Sequence, residues 1–191
     1  MKVIAINGSP RRDGNTSIAI KTVFDVLGAE GIDTESFHIG GKAVKGCTAC
    51  GKCKEIKDGM CVLKGDDFND IFKAVYDAQG LIVGSPVYFG SVTPETKAFI
   101  DRLGYTSRAG GFLLKRKVCA GIAIERRQGA AMTLSQINNL FMLTRAITIG
   151  SIYWNMAIGR NKGDILDDEE GMETFKVIGE EMAWLIKKIE Q

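Results

Sequence analysis

Cys47, Cys50, Cys53 and Cys61 crowd one short stretch of the chain in the spacing C-x2-C-x2-C-x7-C. Three thiolates this close can wrap one face of a 4Fe–4S cube, with Cys61 closing the fourth corner. Ala49 and Gly51 are small enough to let the backbone curl around so bulky a group. In the familiar ferredoxin run the fourth cysteine serves a different cluster and is followed by proline. Here Val62 follows Cys61 and no second cysteine set exists, so all four are expected to serve one cluster. Zinc is the rival occupant, although it favours two C-x2-C pairs well separated in sequence; free or redox-active thiols are a third reading. Cys119 falls inside an apolar run and reads as an inert buried thiol. His38 is the only histidine, which excludes imidazole-rich metal sites and leaves it a structural role. Lys42, Lys45, Lys52, Lys54 and Lys57 surround the motif. Their ammonium groups offset the negative charge of a thiolate-bound cluster, or dock an acidic electron carrier.

Two other segments carry chemistry. Gly8-Ser9-Pro10-Arg11-Arg12-Asp13-Gly14-Asn15-Thr16-Ser17 follows an apolar run and leads into a helical pattern. A helix N-terminus offers free N–H groups and the positive end of its dipole, which suits phosphate. Ser9, Asn15, Thr16 and Ser17 add neutral donors, and Arg11 or Arg12 can fork onto phosphate oxygens. The spacing is neither GxGxxG nor GxxxxGK[ST], which leaves a terminal monophosphate as the ligand. The alternative is a polar loop whose Asn and Thr only cap the helix. Further on, Pro86-Val87-Tyr88-Phe89-Gly90 places two aromatic rings where another apolar run ends. A flat heteroaromatic ligand explains that arrangement; core filling by the same rings is the alternative. Arg126 and Arg127 end a third run and face either an anion or water. A phosphate at one end and a planar ring at the other describe FMN.

The elements that must position these residues alternate along the chain. Lys2–Asn7, Leu81–Ser85, Val118–Ile124 and Ala146–Ile152 read as buried strands, and Asp33–Ile39 as an edge strand. Ile20, Val23, Phe24 and Leu27 share a helical face, as do Phe68, Ile71, Phe72 and Val75. Phe175, Ile178, Met182, Leu185 and Ile189 form a stripe on a C-terminal helix, and a helix starting at Pro94 is expected to end before Gly104. Strand–helix alternation implies an α/β fold built on a parallel sheet with right-handed crossovers. Residues 1–191 are read as one domain, with a cysteine-rich loop at 40–65 after the second strand. That loop leaves the carboxyl end of a strand, where ligands bind in such sheets, so the cysteines are expected to lie where the other loops converge.

Apolar residues make up 45% and charged residues 25% of the chain, a soluble globular balance. A net charge of +2 is too mild to argue for nucleic acid. The stretch from Gln128 to Gly159 is nearly uncharged, but Ser135, Gln136, Asn138 and Asn139 interrupt it, so no membrane span is expected. Met1–Asn7 is too short for a signal peptide, and a cytoplasmic location is expected.

The motifs Gly8-Ser9-Pro10-Arg11 with Gly14-Asn15-Thr16, Gly84-Ser85-Pro86-Val87-Tyr88-Phe89 and Lys97-Ala98-Phe99-Ile100-Asp101-Arg102 resemble the NADPH-dependent FMN reductase superfamily. Ser151-Ile152-Tyr153-Trp154-Asn155-Met156 extends the likeness, and the cysteine motif narrows it to the iron–sulfur flavoproteins of anaerobes. The resemblance implies a flavodoxin-like fold, a doubly wound five-stranded parallel sheet in the order 2-1-3-4-5, with non-covalent FMN and a 4Fe–4S cluster on Cys47, Cys50, Cys53 and Cys61. It implies that Ser9, Arg11, Asn15, Thr16 and Ser17 hold the phosphate. Pro86, Val87, Tyr88, Phe89 and Gly90 would flank the isoalloxazine ring. It further implies a homo-oligomer, dimer or tetramer, exchanging electrons between cluster and flavin across a subunit boundary. One departure stands out: the seven-residue gap before Cys61 is long, so residues 54–60 must loop out. The expected function is electron relay between a one-electron carrier such as ferredoxin and a two-electron acceptor, with no acid–base or nucleophilic residue required. The rivals are an NAD(P)H-dependent FMN or quinone reductase without a functional cluster, and a non-enzymatic zinc-binding oligomeric module.

Overall fold

The computed structural model describes residues 1–190. Four strands, β1 (Lys2–Asn7), β2 (Asp33–His38), β3 (Gly80–Pro86) and β4 (Val118–Glu125), lie parallel in the order β2-β1-β3-β4. The fifth position beside β4 is shared by two short pieces, β5 (Ile147–Thr148) and β6 (Met156–Ile158). The expected order 2-1-3-4-5 and the flavodoxin-like fold class are therefore observed.

Parallel strands joined by helical crossovers are covered on both faces, which is why β1, β3 and β4 read as continuous apolar runs. Alternate residues go to opposite cores. Val3, Ala5, Ile82, Ala120 and Ile122 pack under α1 (Asn15–Ala29) and α6 (Glu169–Ile189), against Val23, Leu27, Ile178 and Met182. Ile4, Ile6, Leu81 and Val83 face the other way, toward α3 (Phe68–Asp77), α4 (Pro94–Ala109) and α5 (Ala130–Leu143), and meet Phe72, Phe99, Leu103 and Phe141. β2 has no fully buried residue, as its polar alternation implies, and neither has α2 (Lys52–Ile56), a short helix in the loop that follows it. The α6 stripe is buried at Phe175, Ile178 and Met182, half-buried at Leu185 and exposed at Ile189.

Two boundaries differ from the sequence expectation. The run Ala146–Ile152 does not stay in the sheet. The Ile149 N–H still bonds the Cys119 carbonyl, but the chain then bulges outward and rejoins only where the Ala123 N–H meets the Asn155 carbonyl. Asn155 bridges the excursion: its Nδ2 donates to the Ile149 carbonyl and its Oδ1 accepts from the Ser151 hydroxyl. Ile152, Tyr153 and Trp154 ride outward on it, exposed. Nor does Gly104 end α4, which runs on to Ala109. A Cβ on Gly104 would lie 3.3 Å from Leu140 Cδ1, so it is the close approach of α5 that accounts for this glycine. The start of α4 is as expected, with Thr93 as N-cap and Pro94 in the first turn.

In register, Asn7 lies level with His38 on one side and Gly84 on the other, so the carboxyl ends of the central strands finish together. Among the described residues, no helix is long and apolar enough to cross a membrane.

Candidate functional site

The loops leaving β1, β3 and β4 open a cleft of about 240 Å3 at these carboxyl ends. Ser9, Arg11, Asn15, Thr16, Pro86, Val87 and Tyr88 line it, joined by Arg126 and Arg160. The backbone comes close here because two glycines allow it. A Cβ on Gly8 would fall 1.8 Å from Thr96 Oγ1, and one on Gly40 would fall 2.1 Å from the Ser9 carbonyl oxygen. The first turn of α1 points its free N–H groups at the cleft. The residue before α1 is Gly14, and no side chain caps the helix, so the alternative in which Asn15 and Thr16 merely cap it is not what the structure has. Asn15 instead reaches across 146 residues, donating to the Asn161 carbonyl and accepting from the Gly163 N–H. This ties the loop after β6 to the phosphate-type loop and sets Arg160 at the cleft, where Arg11 Nη1 donates to its carbonyl. His38 is structural, its Nε2 donating to the Ser9 carbonyl at 2.7 Å.

Three candidate residues stand apart from the cleft wall. Ser17 is half-buried one position further into α1. Phe89 and Gly90 form the tip of a tight turn closed by the reciprocal backbone bonds of Tyr88 and Ser91. Phe89 has φ 50 and is 109% exposed, an unusual backbone region for a bulky residue, and its ring stands free in solvent. Arg160 has a readable sequence signal only once the chain beyond Ile158 is recognised as another strand exit.

The cysteines are elsewhere. Their loop leaves β2 at the carboxyl end, yet it runs along the outside of α4, where Cys47, Cys50, Cys53 and Cys61 ring a cavity of about 90 Å3 with Arg102, Tyr105 and Thr106. Among the described residues none lines both this cavity and the cleft, so the cysteines and the other loops do not share one cavity as the expected convergence would have it. The loop is held by polar side chains. Asn69 grips the backbone of Cys61 twice, accepting from its N–H at 2.9 Å and donating to its carbonyl at 2.7 Å. The Tyr76 hydroxyl donates to the Gly59 carbonyl and also meets Thr106 Oγ1, fastening the long gap before Cys61. Asp66 accepts from the Lys45 N–H and from Arg102, joining the two ends of the loop. Ala49 and Gly51 adopt φ of 54 and 77, the curl expected of small residues between the cysteines.

The donor set fits a cluster. Burial first, then the neighbouring Cys50 sulfur, push the Cys53 thiol up, with smaller pushes from Cys61 and Cys47; a backbone hydrogen bond works against them. The four sulfurs thus share one electrostatic neighbourhood, in which thiolates repel until a cation-rich group offsets them. Two buried donors of Arg102 on the same wall lack partners. Among the described residues no group of three or more His, Cys, Asp or Glu is arranged to hold a single metal ion, so the thiols ring the cavity without closing on one point. The cleft fits a phosphorylated flat ligand, its lining combining the first turn of α1 and the guanidinium-bearing Arg11, Arg126 and Arg160 with Val87, Tyr88 and Ile124. The lysine excess is smaller than the sequence suggests: Lys42 pairs with Asp67, Lys52 with Glu55, and Lys54 lies over the Tyr105 ring.

The NADPH-dependent FMN reductase family matches residues 1–161. An iron-sulfur flavoprotein of Methanocaldococcus jannaschii is 36% identical over 200 residues, covering 100% of both chains. One of Methanosarcina thermophila is 29% identical, covering 100% of this chain and 98% of the relative. Among solved structures, a flavone reductase superposes with a TM-score of 0.74 at 19% identity, over 100% of this chain and 65% of that one. An archaeal flavodoxin gives 0.65 at 14%, over 98% and 99%. The two structural likenesses speak for the fold alone, and the sequence relatives for the family. The chain belongs to the NADPH-dependent FMN reductase family and, within it, to the iron–sulfur flavoproteins, which makes it a flavin-dependent oxidoreductase.

Proposed function

We propose that the chain holds FMN in the cleft and a 4Fe–4S cluster on Cys47, Cys50, Cys53 and Cys61, and relays electrons between a one-electron carrier such as ferredoxin and a two-electron acceptor. The observation that carries this reading is the presence of two separate, chemically distinct cavities in one chain. When bound, the cluster would supply one-electron chemistry and the flavin two-electron chemistry. The protein's own part is placement. Ser9, Thr16 and the first turn of α1 take the phosphate, Ser17 supports that turn, and Arg11, Arg126 and Arg160 supply positive charge. Pro86, Val87 and Tyr88 wall one side of the ring, and the Phe89–Gly90 tip projects beyond it. Asn15 orders the loop bearing Arg160.

Because no residue bridges the two cavities within a chain, the reading includes a homo-oligomer in which the cysteine loop of one protomer faces the cleft of its partner. The test is anaerobic purification with flavin, iron and sulfide assayed per chain, followed by visible and EPR spectra before and after dithionite. Stoichiometric flavin and iron with a reducible cluster signal are expected; absence of either ends the relay reading. The family's description favours one further activity, direct reduction of the flavin by NADPH. Rapid flavin bleaching by NADPH without ferredoxin would place that activity first.

A further inference from the structure

Arg102 is the largest fully buried side chain, only 1% exposed on its side chain, in the middle of α4. Its guanidinium lies against the Phe68 ring at 4.5 Å. Nη1 does all of its visible hydrogen bonding, donating to the Lys45 carbonyl at 3.1 Å and to the Asp66 carboxylate at 2.5 Å. Burial works to raise the Asp66 carboxyl, but the hydrogen bonds from Arg102 and from the Lys45 and Phe68 N–H groups, with the guanidinium charge, together outweigh it and hold it below its usual value. Nε and Nη2 are buried without partners. Among the described residues the other orphaned buried atoms are two threonine hydroxyls, Thr133 and Thr174, far weaker donors than a guanidinium. Unpaired charged donors are costly to bury, and a lysine would serve a single carboxylate. The spare half of the fork therefore needs an acceptor, and Arg102 forms part of the cavity that the four cysteines ring.

We propose that Arg102 is a positioning residue for that cavity, donating N–H···S hydrogen bonds from Nε and Nη2 to sulfurs of the bound cluster and so raising its reduction potential. This rests on the reading that the four cysteines hold a 4Fe–4S cluster. Uptake of one electron adds one negative charge to the site, and donors aimed at sulfur favour the more negative form. The same residue ties Lys45 to Asp66, so the clamp that closes the loop and the proposed donors would be one side chain.

The experiment compares wild type with Arg102→Lys, both purified without oxygen, by iron and sulfide content and by EPR-monitored dithionite titration. Arg102→Lys keeps a cation beside Asp66 and loses the directed fork. The expected result is retained iron with the midpoint moved at least 59 mV negative, a tenfold change in the one-electron equilibrium. Should Arg102→Lys not fold, the double variant Asp66→Asn/Arg102→Met removes both charges together and is expected to move the midpoint in the same direction. An unchanged midpoint in either iron-replete variant overturns the proposal and leaves Arg102 a structural ion pair. Wild type without iron overturns the cluster reading itself, a result separable from the first by the assay alone.

Discussion

The cleft and the cysteine loop are built by opposite means. The cleft is made almost entirely of backbone: three strand ends, a helix terminus and two glycines that leave no room for a Cβ. The cysteine loop has no strand beneath it and owes its shape to a few side chains, Asn69, Tyr76, Asp66 and Arg102. The first depends on the sheet and fails with it, whereas the second can be loosened one hydrogen bond at a time. The difference would also let a substitution affect one proposed redox group without the other, since few side chains touch both cavities.

The sharpest break of this contrast is Cys50→Ser, expected to abolish iron binding while flavin content stays at wild-type level; loss of both would show that the two sites are not independent. Next is Gly40→Ala, which drives a methyl into the Ser9 carbonyl. It is expected to cost about 1–3 kcal/mol of stability by overpacking, lowering the thermal midpoint and releasing flavin before iron. Asn69→Ala removes both grips on the Cys61 backbone, worth together about 2 kcal/mol. Iron should then pass faster to a chelator, with flavin affinity unaltered. Arg160→Gln removes a cation from the cleft and is expected to weaken FMN by about tenfold, or ~1.4 kcal/mol, read by flavin fluorescence on titration. The last prediction concerns the core thiol and shows only at alkaline pH. Burial pushes Cys119 up to about 12, from an ordinary value near 9.0. The folded protein keeps this proton while the unfolded chain releases it, so stability falls as pH rises from 9.0 towards 12. Denaturant midpoints over that range should decline less steeply in Cys119→Ala.

Much of the frame was legible from apolar runs, because strands buried on both faces carry no polar interruption; β1, β3 and β4 fell where the runs lie. The cysteine motif was legible because its spacing is local. What periodicity could not reveal was closure over distance. Asn15 meeting Asn161, or Asn69 holding Cys61, leaves no local pattern. The outward bulge after β5 was hidden for a different reason: Ile152, Tyr153 and Trp154 are as apolar as a strand, and only the fold decides that they face out. Gly104 misled because a glycine chosen for close packing looks the same as one chosen to end a helix.

The bulge between β5 and β6 has a bearing on how copies of this chain can meet. Open sheet margins invite strand addition, the first step toward runaway polymers. Here Ala120–Ile122 of β4 have no strand alongside on the outer side, and the margin is broken into runs of two and three residues on either side of them. The opposite margin, β2, carries Asp33 and Glu35, the latter paired with Lys2. Neither border offers a straight, uncharged ladder for another chain to extend, so association must proceed through side-chain surfaces, which can close on themselves and stop at a finite number of copies.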